Sequence, residues 1–148
     1  MTTVKNILDS KGYDVYHIHP ETTVYEALQL MAEKEIGAVI VVKDEKVEGV
    51  FSERDYVRGL VNNKEFSQDS PVCKFMTKGI ITVKPVSDLF ICMMLMTDMK
   101  VRHLPVIENE KIIGIISIGD VVNSIIQTQK VMIKDLESYI AGDYGLKQ

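Results

Sequence analysis

Apolar residues recur at Val24, Ala27, Leu28 and Met31, and again at Leu89, Cys92, Met93 and Met96. That i, i+3, i+4, i+7 spacing draws one apolar stripe along each of two helices. A cluster suited to a helix N-cap precedes each stripe, Thr22-Thr23 in one case and Ser87-Asp88 in the other. Upstream lie extended pieces at Val15–Ile18 and Ile80–Val83, each leading to a proline. Downstream come paired β-rich runs, Ala38–Val42 with Val47–Phe51, then Leu104–Ile107 with Ile112–Ile116. The polar turns Lys43-Asp44-Glu45-Lys46 and Glu108-Asn109-Glu110-Lys111 separate the members of each pair. These runs are apolar nearly throughout, so the strands should be covered on both faces. A second helix should open at Ser52 and at Ser117.

The same order thus occurs twice, and residues 15–58 lie on residues 80–123 without a gap. Pro20 falls on Pro85, Leu30-Met31 on Leu95-Met96, and Glu45-Lys46 on Glu110-Lys111. Gly49-Val-Phe-Ser-Glu-Arg-Asp55 falls on Gly114-Ile-Ile-Ser-Ile-Gly-Asp120. A duplicated unit sets how many sites a chain can build. Two half-domains facing each other across a pseudo-two-fold axis leave clefts at the seam. The expected divisions are a first repeat with its lead-in at 1–61, a polar linker at 62–71 and a second repeat at 72–126. A C-terminal helical extension should occupy 127–148, continuing a helix that runs to about Ile140 and frays at Gly142 and Gly145. Val72-Cys-Lys-Phe-Met76 resembles Val4-Lys-Asn-Ile-Leu8, a short helical lead-in before each repeat.

With 148 residues and 46% hydrophobic positions, the chain can form one compact domain. A net charge of −4 recommends neither nucleic acid nor an anionic membrane as partner. Cys73 and Cys92 are far apart without CxxC spacing, so a reduced, cytoplasmic setting fits. No run approaches the roughly 18 apolar residues that a bilayer-spanning helix needs.

The doubled strand–helix–strand–strand–helix order, with Gly-h-h-Ser-x-x-Asp opening each last helix, resembles a pair of cystathionine-β-synthase (CBS) domains. Ser52-Glu-Arg-Asp-Tyr-Val-Arg58 and Met96-Thr-Asp-Met-Lys-Val-Arg-His-Leu-Pro-Val106 are similar to stand-alone two-repeat proteins of that family. The resemblance covers about residues 4 to 126. It implies an α/β fold of two βαββα repeats related by pseudo-two-fold symmetry in one compact module. It also implies an adenosyl ligand such as AMP, ADP, ATP or NAD(H) in the seam clefts, with modules pairing into dimers.

Chemistry at the motif fits such a ligand. Each strand delivers a serine, Ser52 or Ser117, to a helix start whose unpaired N–H groups and dipole favour a phosphate. One turn on, Asp55 or Asp120 can accept two hydrogen bonds from a ribose diol. The same Ser-x-x-Asp spacing also makes a capping box, in which both side chains satisfy helix-end donors. In the family, the other repeat supplies the slot for the base. Carried over, the Ser117/Asp120 cleft gains Thr22, Ala27, Ile36, Gly37 and Ala38, with Ile115 from its own strand. The Ser52/Asp55 cleft gains Ser87, Val101, Arg102 and His103, with Val50. Arg54 and, less directly, Arg58 suit a phosphate through their planar donor forks. The second motif has Ile118-Gly119 where the first has Glu53-Arg54, so His103 is its candidate phosphate partner.

Other constellations lead nowhere. His17-x-His19 places two imidazoles on one strand face, but no third ligand is near and zinc needs three or four. Cys92 lies on an apolar stripe; Cys73 stays open to redox chemistry. No P-loop, GxSxG, HExxH or GxGxxG motif is present. The expectation is therefore a non-enzymatic regulatory module without a resident cofactor, a homodimer through Leu89–Met99 and the C-terminal helix, acting on an unidentified enzyme. The rival is an interaction scaffold with empty clefts.

Overall fold

The computed structural model describes residues 2–142. Five helices and five strands follow the duplicated order. The first half contains α1 (Val4–Lys11), β1 (His17–Ile18), α2 (Val24–Lys34), β2 (Ala38–Lys43), β3 (Lys46–Ser52) and α3 (Glu53–Asn62). The second contains a 3-10 turn (Val72–Lys74), α4 (Leu89–Met99), β4 (His103–Glu108), β5 (Lys111–Ser117) and α5 (Ile118–Ile140). Gly145 lies outside the described residues.

Local chemistry explains the matching elements. Thr23 caps α2 by accepting the Glu26 N–H, and Asp88 caps α4 by accepting the Phe90 N–H. Each hairpin turns on two left-handed residues, Asp44 and Glu45 at φ 51° and 65°, Asn109 and Glu110 at 52° and 64°. Two successive positive φ values match the right-handed twist of the strands they join. A register shift falls at corresponding places, Val41/Val42 and Val106/Ile107.

The extended leaders are shorter than expected, and unequally so. β1 pairs in parallel with β2, and Ile40 N–H donates to the Tyr16 carbonyl at 3.5 Å. In the second half Pro105 stands where Ile40 stands in the first, and it has no N–H to give. Only Val83 pairs there, as an isolated parallel bridge to Val106. The sheets are consequently β1-β2-β3 and β4-β5.

Each hydrophobic core is closed by a segment that precedes the other repeat. Val4, Ile7 and Leu8 of α1 are buried with Leu89, Cys92, Met96, Leu104, Ile116 and Val121 of the second half. Val72, with Phe75 and Met76 against it, packs with Val24, Met31, Val41 and Phe51 of the first. Backbone bonds repeat the exchange in both directions. Val4 N–H donates to the Ser87 carbonyl at 3.0 Å and Lys5 N–H to Pro85 at 2.8 Å; Val72 N–H donates to Thr22 at 2.8 Å and Cys73 N–H to Pro20 at 3.1 Å.

Two glycines admit these segments. A Cβ on Gly49 would stand 2.6 Å from the Thr77 carbonyl oxygen and 2.9 Å from the Met76 sulfur; one on Gly114 would stand 2.7 Å from a Leu8 methyl. A backbone oxygen yields less readily than a side-chain terminus. Gly49→Ala should therefore lower unfolding free energy by about 1–3 kcal/mol and Gly114→Ala by less. Urea denaturation of both variants checks the order; equal or reversed losses would contradict the exchanged packing.

Candidate functional site

The strands and helices of the first half bring Ser52 and Asp55 to the start of α3, against residues of the α4–β4 junction. Between them lies a cavity of about 410 Å³, a size typical of small-molecule sites. Its lining includes Val50, Ser52, Arg54 and Asp55 from the first half, and Val101, Arg102 and His103 from the second. All seven were expected in this cleft. Arg58 lines it too, one turn beyond Arg54.

Sequence reasoning missed the other wall. Thr77, Lys78, Gly79, Ile80 and Ile81, with Met99 and Lys100, also line the cavity. The signal was available in outline, since the lead-in before the second repeat was recognised. Its crossing onto the first half was not. Gly37, assigned to the Ser117/Asp120 cleft, lines this cavity as well; a Cβ there would lie 3.8 Å from the His103 ring. Ile36 faces a neighbouring hollow of about 370 Å³ with Leu28, Met31, Glu35 and Glu53.

Ser87, expected in this cleft, lies outside the cavity lining, as do Thr22, Ala27 and Ala38, expected in the Ser117/Asp120 cleft. The Thr22 hydroxyl accepts the His19 N–H at 3.1 Å, and the Ser87 hydroxyl accepts the Lys84 N–H at 3.0 Å. Both shape the turn after the proline and neither lines the cavity. Ala27 is fully buried in the core of the first half. Ala38 is buried opposite Ser52 in the β2–β3 ladder.

Both Ser-x-x-Asp motifs are capping boxes. Ser52 N–H donates to Asp55 Oδ2 at 2.9 Å, and Asp55 N–H donates to Ser52 Oγ at 3.3 Å. Ser117 N–H donates to Asp120 Oδ2 at 2.8 Å, and Asp120 N–H donates to Ser117 Oγ at 3.1 Å. Each carboxylate also takes a bond from the lead-in exchanged onto its half. The Thr77 hydroxyl donates to Asp55 Oδ1 at 2.8 Å, and Lys11 Nζ donates to Asp120 Oδ2 at 2.7 Å. Asp55 is buried, at 6% exposure, yet forms part of the cavity wall. The cap therefore fixes the Asp55 carboxylate while the residue stays in the cavity wall.

The helix starts are partly occupied. Glu53 N–H donates to the Gly37 carbonyl at 3.1 Å and Ile118 N–H to the Arg102 carbonyl at 2.9 Å. With the Asp55 N–H on Ser52, few first-turn donors of α3 remain for an anion. Side chains must supply most of the positive charge.

The second cleft differs. Lys11 reaches both Asp120 and the Ile115 carbonyl, the latter at 3.0 Å. Burial pushes the Asp120 carboxyl up, but the Lys11 ammonium and the Ser117 N–H together outweigh it and hold the group below the ordinary carboxylate value. His103 sits between the clefts. Burial, followed by the nearby Lys11 charge, lowers its pKa, so the ring is neutral at pH 7. Elsewhere, burial and then the Asp88 carboxylate raise the Cys92 thiol, the opposite of what a nucleophile needs.

The CBS domain model matches residues 4–62 and 72–127. The chain belongs to the CBS domain family. A mitochondrial CBS domain-containing protein of Arabidopsis thaliana is 34% identical over 97% of this chain and 74% of its own length. The solved CBS-domain containing protein of Agrobacterium tumefaciens is 40% identical, with a TM-score of 0.80 over 83% of this chain and 98% of that one. The protein CBSX2, solved in complex with AMP, is 26% identical with a TM-score of 0.68, over 87% of this chain and 99% of that one. The CBS pair is thus a shared scaffold, and the cavity lies at the seam between its two halves.

Asp120 contributes stability above its unfolded pKa, and that contribution is lost as pH falls through the lower folded value. Its partner Lys11 is over a third exposed, so the pair is screened. Lys11→Met should cost about 0.5–1 kcal/mol at pH 7, and the difference from the parent should shrink near pH 3. Denaturant titrations at both pH values measure this; a gap that persists in acid would mean that the ion pair is not its source.

Proposed function

We propose that this chain is a non-enzymatic regulatory module that binds an adenosyl ligand of the AMP, ADP, ATP or NAD type and reports its level to a partner. One observation carries the reading: a cavity of about 410 Å³ between the repeats, with Asp55 in its wall and cationic side chains around it. The AMP complex of CBSX2 supports it from a related chain. Asp55 would accept one diol bond through Oδ1, where the Thr77 hydroxyl leaves an acceptor site; Oδ2 already takes the Ser52 N–H and hydroxyl. Val50, Ile80, Ile81 and Val101 would flank the base. Asp120 and Ser117 would serve a second ligand only if Lys11 shifted or joined in binding it.

Binding can move the module only through unequal affinity for two arrangements of it. A ligand across the seam touches both halves, so it would favour whichever spacing lets Asp55 and Val101–His103 engage together. Free Cys73 and Cys92 support a reducing compartment such as the cytoplasm. No described helix is long and apolar enough to cross a membrane. Self-association is part of the proposal. Phe90, Ile91 and Met94 of α4 and Met132, Ile133 and Leu136 of α5 are more than half exposed, an apolar surface that a lone soluble module rarely keeps.

The scaffold alternative draws on the capping boxes, because a fully capped aspartate has a structural role without any ligand. Calorimetry with AMP separates the two. Asp55→Asn preserves an oxygen for the Ser52 N–H but weakens the diol acceptor, so AMP affinity should fall about tenfold with little change in melting temperature. No binding by the parent protein would favour the scaffold; binding with identical affinity in the variant would remove Asp55 as the ribose contact. Light scattering behind size exclusion should give twice the 16.7 kDa chain mass; a clean monomer removes the dimer.

A further inference from the structure

Five cationic side chains line the first cavity: Arg54, Arg58, Lys78, Lys100 and Arg102. Its acidic lining residues are Glu53 and Asp55 alone. Ion pairs among the described residues join Lys5 to Asp9, Lys11 to Asp120 and Lys34 to Glu33. Among the described residues, none of the five has a carboxylate oxygen within 4.0 Å of its charged nitrogens. Arg54 instead donates to the Lys100 carbonyl at 3.0 Å, which spans the cleft and anchors its guanidinium at the C-terminal end of α4. Such a concentration of unneutralised positive charge stands out in a chain whose net charge is −4.

The cations come from separate segments. Arg54 and Arg58 sit one turn apart on α3, Lys78 lies on the exchanged lead-in, and Lys100 and Arg102 flank the start of β4. Three separate segments thus bring positive charge to one cavity. A terminal phosphate carries about −2 at neutral pH, and each further phosphoryl group adds about one more negative charge. The excess of positive over negative side chains here calls for a longer anion than a monophosphate supplies. Because protein N–H donors at the α3 start are largely engaged, these side chains must hold that anion.

We infer that the first cavity selects an adenine nucleotide bearing at least two phosphate groups, with Lys78 and Arg102 as its specificity-determining residues. This rests on the proposed reading of the cavity as a nucleotide site. An adenosyl ligand with a positive charge, or with no phosphate, is selected against by the same field. The second cleft lacks this selection, since its own motif carries Ile118-Gly119 and its nearest cation, Lys11, is paired with Asp120.

The test is calorimetry of the full chain, without divalent metal, against adenosine, AMP, ADP, ATP and inorganic tripolyphosphate. ADP and ATP should bind at least about tenfold more tightly than AMP, and added salt should narrow that gap. Lys78→Ala and Arg102→Ala, both at exposed positions, should each weaken ADP about tenfold and leave adenosine within about twofold. Lys134→Ala on α5, an equal charge loss away from the cavity, should leave ADP binding unchanged. Equal affinities for AMP and ADP, or ADP binding indifferent to both cavity substitutions, overturn the inference while leaving the nucleotide site standing. If no adenine compound binds, the nucleotide reading itself fails. Tripolyphosphate then decides the cation cluster: binding weakened by Arg102→Ala keeps the polyphosphate class, and no binding overturns it.

Discussion

Neither half of this molecule can finish its own core. α1 supplies Val4, Ile7 and Leu8 to the second half, and the segment through Val72 and Met76 supplies the first. Removing either segment would expose the apolar faces of one sheet and one helix. The exchange ties the halves together more firmly than a linker could, because each lead-in is held by burial and by backbone hydrogen bonds at once. It also fixes the seam. Gly49 and Gly114, the glycines that open the two Ser-x-x-Asp strands, leave room for the incoming chain where any side chain would collide. Core packing of the lead-ins therefore helps to position the cleft walls.

The same exchange delivers the polar groups that hold the two aspartates. Thr77 and Lys11 arrive with their lead-ins and bond Asp55 and Asp120 respectively. A capping box alone would hold each carboxylate through its own helix start. With the added bond, its position also reports where the opposite half lies. Structural and ligand roles do not compete in such an arrangement. The cap orients the oxygen atoms, and the cavity leaves one edge of Asp55 facing inward.

Much of this was legible in the chain. Hairpins and helix starts follow from alternation, capping chemistry and the in-register repeat, while the expected lining residues from Val50 to His103 rest on the resemblance to the family as well. What escaped was long-range. Periodicity can show that residues 4–8 and 72–76 are alike, but not which core receives them, because both cores present equivalent apolar faces. Nothing in the sequence marks Lys78 or Lys100 as a cavity residue. Thr22 and Ser87 also shape turns, since each hydroxyl accepts a backbone N–H from three residues earlier. The shortened leader of the second half was readable in principle, since Pro105 withholds the donor that Ile40 gives.

Duplication made two equal frames, and substitution at a few positions has made them chemically unequal. Arg54 has no counterpart in the second motif, where Gly119 stands, so the cation for Asp120 comes from α1 instead. Lys11 is drawn to that carboxylate and to the Ile115 carbonyl, which places its charge inside the cleft before any ligand arrives. The first cleft has the reverse arrangement: its aspartate bonds to a neutral hydroxyl, and its cations stand unpaired around open space. His103 lies between the two and is kept neutral by burial, with Lys11 reinforcing that state and Asp120 opposing it. An anion entering the first cleft therefore meets a field that the second cleft's ion pair has left largely uncompensated. The asymmetry arises from where each half obtains its positive charge, and the exchanged lead-ins decide that source.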